Sequence, residues 1–495
     1  MVSTFHSLEL GKRGLFAGQT GVTTTGHNIA NANTKGYSRQ QVNLTTSPAL
    51  DVWTSGEVNP SQLGSGVSLE SITRVRDRFL DNQYREQSGT LGEWSVKQDT
   101  LAKLETIINE PSETGLSAVM DQFWGAWQDL ANDPDSLSAR AVIKESAQAF
   151  VDTSQFIDRS MTQLTGDLNN QLMARIKDAN SYLERIADLN NSIRRTGIQA
   201  NDLLDQRDFY VEELSKLVSI DVEELSTGMY NIKLSSDGTV LVEGAKLTTS
   251  LDSKSNFSGG SIFGTIESIK TVDSYQQKLN DMVKAFVFGE IKVAVPAGSQ
   301  LADGTNVPAN GDMQVTVKGI NGLHELGWSL KEDANGNAQP GVALFIGDEA
   351  NFSIASLSIN PTIKKDLAFI AASLRSETVN GQQKVISGNA DLAQLIGRLR
   401  DQEFTINENS NNIHRFFQSA VSELGAESQA ANRSVANHEA ALKATEGRRQ
   451  SVTGVSLDEE MANLIKYQQA YNAAARIVTT TDQLLDTIIN RMGAR

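Results

Sequence analysis

Leu8–Ile29 reads LELGKRGLFAGQTGVTTTGHNI, and its pattern frames the rest of the chain. Leu8, Leu15, Val22 and Ile29 recur every seven residues, with Phe5, Lys12, Gln19 and Gly26 at the intermediate three/four spacing. That is a heptad-like seam, the signature of a helix packed on another helix. Gly11, Gly14, Gly18, Gly21 and Gly26 lie inside it. Each costs a lone helix up to about 1 kcal/mol relative to Ala, so the segment is marginal alone. The same small residues permit a very close helix–helix approach. The expectation is a segment that orders mainly when it finds a partner.

A partner is written at the other end. Leu457, Met461, Leu464, Tyr471, Ala475, Val478, Leu485, Ile489 and Met492 fall on one three/four series, interrupted by Gln468 and Asp482. Ser456, with Glu459 three residues on, has the form of a capping box. The spacing predicts a long amphipathic helix running nearly to the last residue, its two polar seam positions helping to fix register.

Between the ends the period changes twice. Leu80, Tyr84, Leu91, Trp94, Leu101, Leu104 and Ile108 share a helical face that Pro111 ends. Leu116, Met120, Phe123, Trp124, Trp127 and Leu130 make a second, aromatic-rich face, stopped at Asn132-Asp133-Pro134 and read as bundle core. Helical patterns follow to Arg195 and from Asp202 to Val218. Tyr230, Ile232 and Leu234 then alternate with polar residues, and Ser236-Asp237-Gly238 turns the chain into Val240-Leu241-Val242, a hairpin. Ile262–Phe288 is helical. From about Ile291 to Pro361 the pattern is strand-like, with turn signals at Asp303-Gly304, Asn310-Gly311, Asn321-Gly322 and Asn335-Gly336. Helical pattern resumes at Asp391 and runs through Leu442. The expected fold class is mainly α with a β-rich insertion, comprising paired terminal helices (a coiled coil), an elongated helical-bundle domain and an outer β domain.

Composition narrows the chemistry. At 495 residues the chain calls for two to four domains, and 39% hydrophobic with 21% charged residues suits a folded, soluble protein. A formal charge of −16 argues against a general nucleic-acid surface. Lys12, Arg13, Lys35 and Arg39 give the N-terminal tip a slightly basic character, which fits a contact surface or a solvated end equally. The absence of cysteine excludes disulfides, thiol catalysis and Cys-ligated metals. No apolar run is long enough for a secretory leader or a membrane span.

Catalytic patterns are wanting. His324-Glu325 lacks the second His of a zinc-protease helix, and His6, His27, His414 and His438 are isolated, so packing roles are expected of those four. Gly21–Gly26 has phosphate-loop spacing, but His27-Asn28 stands where Lys-Ser/Thr is required. No nucleophile elbow, dinucleotide fingerprint or calcium loop occurs, so neither cofactor, metal nor catalytic residue is assigned.

What stands out is Asn28-Ile29-Ala30-Asn31-Ala32-Asn33-Thr34-Lys35-Gly36-Tyr37-Ser38-Arg39-Gln40. Asn bonds back to nearby backbone and Gly36 is permissive, so physics alone reads an ordinary helix exit as readily as a special one. The run resembles the N-terminal signature of bacterial flagellar rod, hook and hook-associated axial proteins. Ser456–Leu464 and Tyr467–Arg476 are similar to the C-terminal helix of the same family. Leu203-Leu204-Asp205-Gln206-Arg207-Asp208, Leu214-Ser215 and the Phe123–Pro134 block resemble its hook–filament junction members. The likeness covers both ends and most of the helical region, and is weakest over about 291–360.

The resemblance implies a structural subunit that assembles on the hook tip and joins hook to filament, with no catalysis. It implies a terminal coiled-coil domain (1–40 and 450–495) and a helical-bundle domain (41–218, 261–290 and 362–449). The β-rich regions (219–260 and 291–361) would form an outer, outward-facing β domain. Leu8, Leu15, Val22, Ile29, Asn31, Asn33, Thr34, Gly36 and Tyr37 would carry assembly, with Leu457, Met461, Leu464, Tyr471, Ala475, Val478, Leu485 and Ile489. Expected partners are further copies in a ring or tube, the hook protein, the second junction protein and an export chaperone, with no nucleic acid and no membrane insertion. The implied location is extracellular, on the flagellum, after export without a cleaved signal peptide. Competing readings are a rod or hook subunit, and an adhesin-like module that binds a surface through its β-rich insertion.

Overall fold

The computed structural model describes residues 5–52, 61–197, 199–406 and 409–491. The chain is mainly helical with small antiparallel sheets, and it divides into two compact units. One comprises Met1–Trp94, Met173–Gly264 and Val435–Arg495, the other Ser95–Leu172 and Thr265–Ser434.

The chain opens with helix α1 (His6–Ala30), then strands β1 (Gln40–Thr46), β2 (Leu50–Val52), β3 (Ser61–Leu63) and β4 (Val67–Arg74). Four helices follow: α2 (Arg78–Ile108), α3 (Leu116–Asn132), α4 (Leu137–Thr196) and α5 (Asn201–Leu217). A four-stranded meander, β5 (Ile220–Glu224), β6 (Tyr230–Leu234), β7 (Val240–Glu243) and β8 (Lys246–Leu247), leads into α6 (Gly260–Phe288). The expected hairpin is β6–β7, and Gly238 in its turn takes φ +73. Tyr230, Ile232 and Leu234 are buried on one side of β6, as a period of two requires.

The second unit continues through β9 (Glu290–Val295), β10 (Met313–Lys318), α7 (Gly319–Glu325), β11 (Trp328–Glu332), β12 (Ala338–Pro340), β13 (Phe345–Ile346) and β14 (Ser358–Ile359). Then come α8 (Pro361–Lys365), β15 (Ser376–Val379), β16 (Gln382–Val385), α9 (Asp391–Arg398), β17 (Glu403–Ile406) and β18 (Asn409–Asn412). The chain closes with α10 (Ile413–Thr453) and α11 (Leu457–Asp486). One sheet has the order β10-β9-β17-β18. The aromatic face of α3 is core: Phe123, Trp124 and Trp127 are buried, and Phe286 and Phe345 stack near them with centroids 5.5–6.3 Å apart. Edge-to-face geometry of this kind adds to the area term.

Three expectations give way. The helical pattern from Asp391 stops at Arg398, and β17 and β18 intervene before α10. Their alternation, buried Phe404 and Ile406 beside exposed Glu403 and Thr405, lasts only four residues, too short to register against helical neighbours. Strands β1 and β4 occupy sequence assigned to the helical bundle. Their apolar alternation, Val42 and Leu44 in β1 and Val67 and Leu69 in β4, is only two residues long in each, and polar pairs fill the rest, with Asn43 bonding across to Ser71 and Thr73 at 3.1 and 2.9 Å. Asn321-Gly322 is not a turn but part of α7. There the buried Asn321 amide bonds both the carbonyl and the N–H of Phe345, standing in for a strand edge.

Candidate assembly site: the terminal helix pair and its clasp

Helix α11 starts at Ser456, whose Oγ accepts the Glu459 N–H at 3.5 Å, with Asp458, Glu459 and Glu460 in the first turn where the helix dipole favours anions. It lies antiparallel on α1. A Cβ on Gly11 would sit 2.7 Å from Val478, one on Gly14 3.0 Å from the Ala474 Cβ, and one on Gly18 3.0 Å from the Tyr471 backbone. A Cβ on Gly21 would clash with the Tyr467 ring, 2.4 Å from its nearest atoms. The glycines are therefore the docking surface. Gly11, Ala17, Gly18, Gly21, Thr24, Thr25 and Asn28 are the buried residues of α1.

Leu8, Leu15, Val22 and Ile29 are half-buried along the flanks of that stripe. Leu464, Ala475, Val478 and Leu485 of α11 are half-buried, and Tyr471 brings its backbone to the seam while its side chain is largely exposed. Leu457, Met461 and Ile489 are exposed, the last at 66%. Met492 lies outside the described residues. Heptad spacing marks large apolar residues, whereas here the glycines of α1 offer bare backbone to the side chains and backbone of α11.

At the exit of α1, Asn31 caps by donating to the His27 carbonyl at 3.0 Å and accepts from Thr34 Oγ1 at 3.1 Å. Asn33 and Thr34 are exposed. Gly36 takes φ +82 with its backbone against Phe209, where any Cβ would be 3.1 Å from that side chain. The turn returns Tyr37, whose hydroxyl donates to Asn28 Oδ1 at 2.7 Å. Burial, then Asp202, Asp205 and Glu460, push the Tyr37 phenol well above its ordinary pKa.

Asn28, 1% exposed, is the hub. Its Oδ1 accepts from Tyr37 and from the Gln40 N–H at 2.9 Å; its Nδ2 donates to the Gln40 carbonyl and to Glu460 Oε2, both at 2.9 Å. All four hydrogen-bonding positions of the amide are filled. Glu460, 2% exposed, also receives Arg39 Nε at 2.9 Å, and the Arg39 N–H donates to the Thr453 carbonyl at 3.0 Å. Asn28, Arg39 and Glu460 were not among the assembly residues expected from sequence. The available signal was an invariably costly buried carboxylate, and burial is invisible in a charged first turn of a helix.

Beyond the clasp, α5 presents Asp205, Asp208 and Glu212 on one face at i, i+3 and i+7. Asp205 accepts from the Ser38 N–H and hydroxyl at 2.9 and 2.8 Å. Arg74 bridges Asp205 and Asp208 at 2.8 Å each. Arg76 reaches Asp208 and Asp81 at 2.9 Å and Glu212 at 3.2 Å. Arg449, from α10, closes the ladder on Glu212 at 2.5 Å. Burial acts to raise the Asp208 carboxyl, but Arg76, Arg74 and Arg207 outweigh it and hold it well below the usual carboxylate range. Burial raises Asp205, with Arg74 opposing. Arg207, fully buried, bonds Asn190 and the Gly228 carbonyl and lies over the Tyr230 ring at 3.3 Å. The Leu-Leu-Asp-Gln-Arg-Asp motif is thus the fastening between the signature turn, the β1–β4 hairpin and the β5–β8 sheet.

Every acid in this arrangement is committed to an arginine or an amide. Among the described residues no group of three or more His, Asp or Glu side chains could hold a metal ion, and no helix is long and apolar enough to cross a membrane. The chemistry of the site is packing and fastening, which defines a structural subunit whose two chain ends form one clasped element.

Comparison with known proteins gives that class a family. Residues 101–253 match the helical domain of flagellar hook-associated protein FlgK, and 449–492 match the C-terminal region of flagellar basal body rod FlgEFG proteins. The chain is 33% identical over 525 residues to flagellar hook-associated protein 1 of Bacillus subtilis, spanning 100% of this chain and 99% of that relative. The corresponding proteins of Salmonella typhimurium and Escherichia coli are 24% and 25% identical over 96% of this chain and 98% of theirs. The flagellar hook junction protein FlgK from Burkholderia pseudomallei shares the fold, with a TM-score of 0.54 and 14% identity over 75% of this chain and 100% of that one. The chain belongs to the flagellar hook-associated protein 1 family. It is a structural protein of the flagellum and not an enzyme.

Proposed function

We propose that the chain assembles on the hook tip and connects hook to filament. The observation that carries this reading is the full-length likeness to flagellar hook-associated protein 1, ends included. In this proposal α1 and α11 form a coiled-coil core in a ring or tube of copies, the helical middle surrounds it, and the β-rich regions 219–260 and 291–361 face outward. Exposed Leu457, Met461, Ile465 and Leu484 on α11, with Ile489 just after it, support self-association, since an apolar row of that kind asks for cover. The partners are the hook protein on one side and the second junction protein on the other, with an export chaperone holding the C-terminal helix beforehand. Export proceeds through the flagellar type III channel without a cleaved signal peptide, leaving the chain extracellular.

The test is removal of residues 457–492 in a motile strain. Cells should build hooks without filaments and release flagellin into the medium. Normal filaments on the truncated chain would refute the junction role.

A further inference from the structure

The glycine seam explains how closely the terminal helices approach, but not why they stop at one alignment. Gly11, Gly14, Gly18 and Gly21 repeat at three- and four-residue steps, and α11 offers Tyr467, Tyr471, Ala474 and Val478 at the same steps. Sliding α11 by two turns would set Tyr467 over Gly14 in place of Gly21, with the same flat contact. Nothing in the apolar part of the seam penalises that slide strongly, because a glycine surface is smooth and dispersion is non-directional.

The polar end of the seam is different. Three of the four bonds of the Asn28 amide are made within its own segment, to Tyr37 and to both backbone groups of Gln40. They fix the amide so that one N–H remains, aimed at α11, and Glu460 Oε2 takes it at 2.9 Å. Arg39, set by its backbone bond to Thr453, meets the other carboxylate oxygen at 2.9 Å. A two-turn slide would place Glu460 opposite Gly21, burying a carboxylate with only the Thr24 and Thr25 hydroxyls near it in place of an amide and a guanidinium, and would leave the last Asn28 N–H unmet. Uncompensated buried charge is heavily penalised, so one alignment is selected.

We propose that Glu460 is the register latch of the terminal helix pair, and that the Asn–Gly–Tyr turn after α1 is the socket built to receive it. The glycines give closeness, and the latch gives alignment, in the manner of a single polar residue fixing the register of a coiled coil. The inference deepens the assembly reading above, since a core of copies needs helices of one register. Its readout, a cross-link within one chain, is separate from whether the chain joins hook to filament.

The absence of cysteine from the sequence makes the test clean. Two double-cysteine variants of the full chain report two alignments. Gly14→Cys with Ala474→Cys reads the observed register, since those Cβ positions are 3.0 Å apart and need to open by about 0.5–0.8 Å to reach disulfide geometry. Gly14→Cys with Tyr467→Cys reads the two-turn slide. Mild oxidation of dilute protein, resolved on non-reducing gels, gives the ratio of the two cross-links, which does not depend on how much of the time the helices are docked. In the parent background the observed-register pair should close at least about tenfold faster, corresponding to about 1.4 kcal/mol of preference. Glu460→Ala should bring the two rates within about threefold, and Glu460→Gln, which keeps an acceptor for Asn28, should retain most of the preference. An unchanged ratio in Glu460→Ala overturns the proposal. So does loss of both cross-links in Glu460→Ala, which would make Glu460 a clamp and not a register device. Failure of the observed-register pair to close in the parent background overturns it as well.

Discussion

His324 shows how a residue type that invites a catalytic reading can be spent entirely on packing. Its Nδ1–H faces the Val342 carbonyl, its Nε2 accepts the Ala371 N–H at 2.9 Å, and Trp127 meets the ring edge-on at 5.9 Å. Both ring nitrogens are used in the neutral form, so a proton on Nε2 would have to displace Ala371. Burial, with Arg140 adding repulsion against the Val342 bond, lowers its pKa to about 4. The folded value lies below the unfolded value of about 6.5, so between the two the unfolded chain binds more protons. The stability His324 contributes is therefore complete above about pH 6.5 and is lost as the pH falls toward about 4. A shift of this size is worth roughly 3 kcal/mol. The second unit, read by fluorescence of Trp124, Trp127 and Trp328 in a Trp53→Phe, Trp94→Phe background, should lose unfolding midpoint between pH 7 and 4.5. His324→Gln, which cannot charge, should flatten that slope; a slope equal to the parent's would refute the assignment. Spacing alone says of His324 only that no second ligand stands where a zinc-protease helix needs one. Its partners, 18 and 47 residues away, had no local trace.

At the scale of elements, the terminal pair separates two kinds of glycine that look alike in the sequence. In an open helix, Gly→Ala stabilises by up to about 1 kcal/mol. Gly26 faces open space, with nothing within 4 Å of a built Cβ, whereas Gly21 lies under the Tyr467 ring. Gly26→Ala should therefore make the pair more resistant to limited proteolysis at residues 5–30. Gly21→Ala should make it less resistant, although both changes raise intrinsic helix propensity equally. Same-direction effects would mean that propensity, and not close approach, governs the segment. The existence of both helices, the Ser456 cap and the need for small residues were legible from spacing and end signals. The docking face was not, because Leu8, Leu15, Val22 and Ile29 repeat as regularly as the glycines they flank and are larger. The strands β17, β18, β1 and β4 escaped for a related reason: short or polar alternation leaves too little period to separate from neighbouring helical sequence.

Over the whole molecule, each unit draws on separated stretches of chain, and this decides what a truncation removes. The first unit uses residues 1–94, 173–264 and 435–495, and its ion ladder needs all three, since Arg74 and Arg76 come from the first, Asp208 and Glu212 from the second and Arg449 from the third. Glu212 is buried and held by Arg76 and Arg449, and such a group is costly when a partner is lost. The second unit uses 95–172 and 265–434 and keeps its aromatic core, with Phe123, Trp127, Phe286 and His324, inside those stretches. A chain ending at Ser434 would lose Arg449, Thr453, Glu460 and the whole of α11. Arg39 would lose its carboxylate partners and its Thr453 carbonyl, and the carboxylates of α5 would lose one arginine in three. The first unit should then lose its cooperative transition. The second should keep one, with a midpoint within about 5 °C of the parent's, a shift equivalent to roughly 1–2 kcal/mol at this size. In a Trp53→Phe, Trp94→Phe background, which leaves tryptophan only in the second unit, thermal melts followed by tryptophan fluorescence for that unit, and hydrogen exchange of the β5–β8 amides for the first, separate the two. Loss of the tryptophan transition together with β5–β8 protection would show that the chain folds as one cooperative block, and that the ladder's reach extends beyond the three stretches it joins.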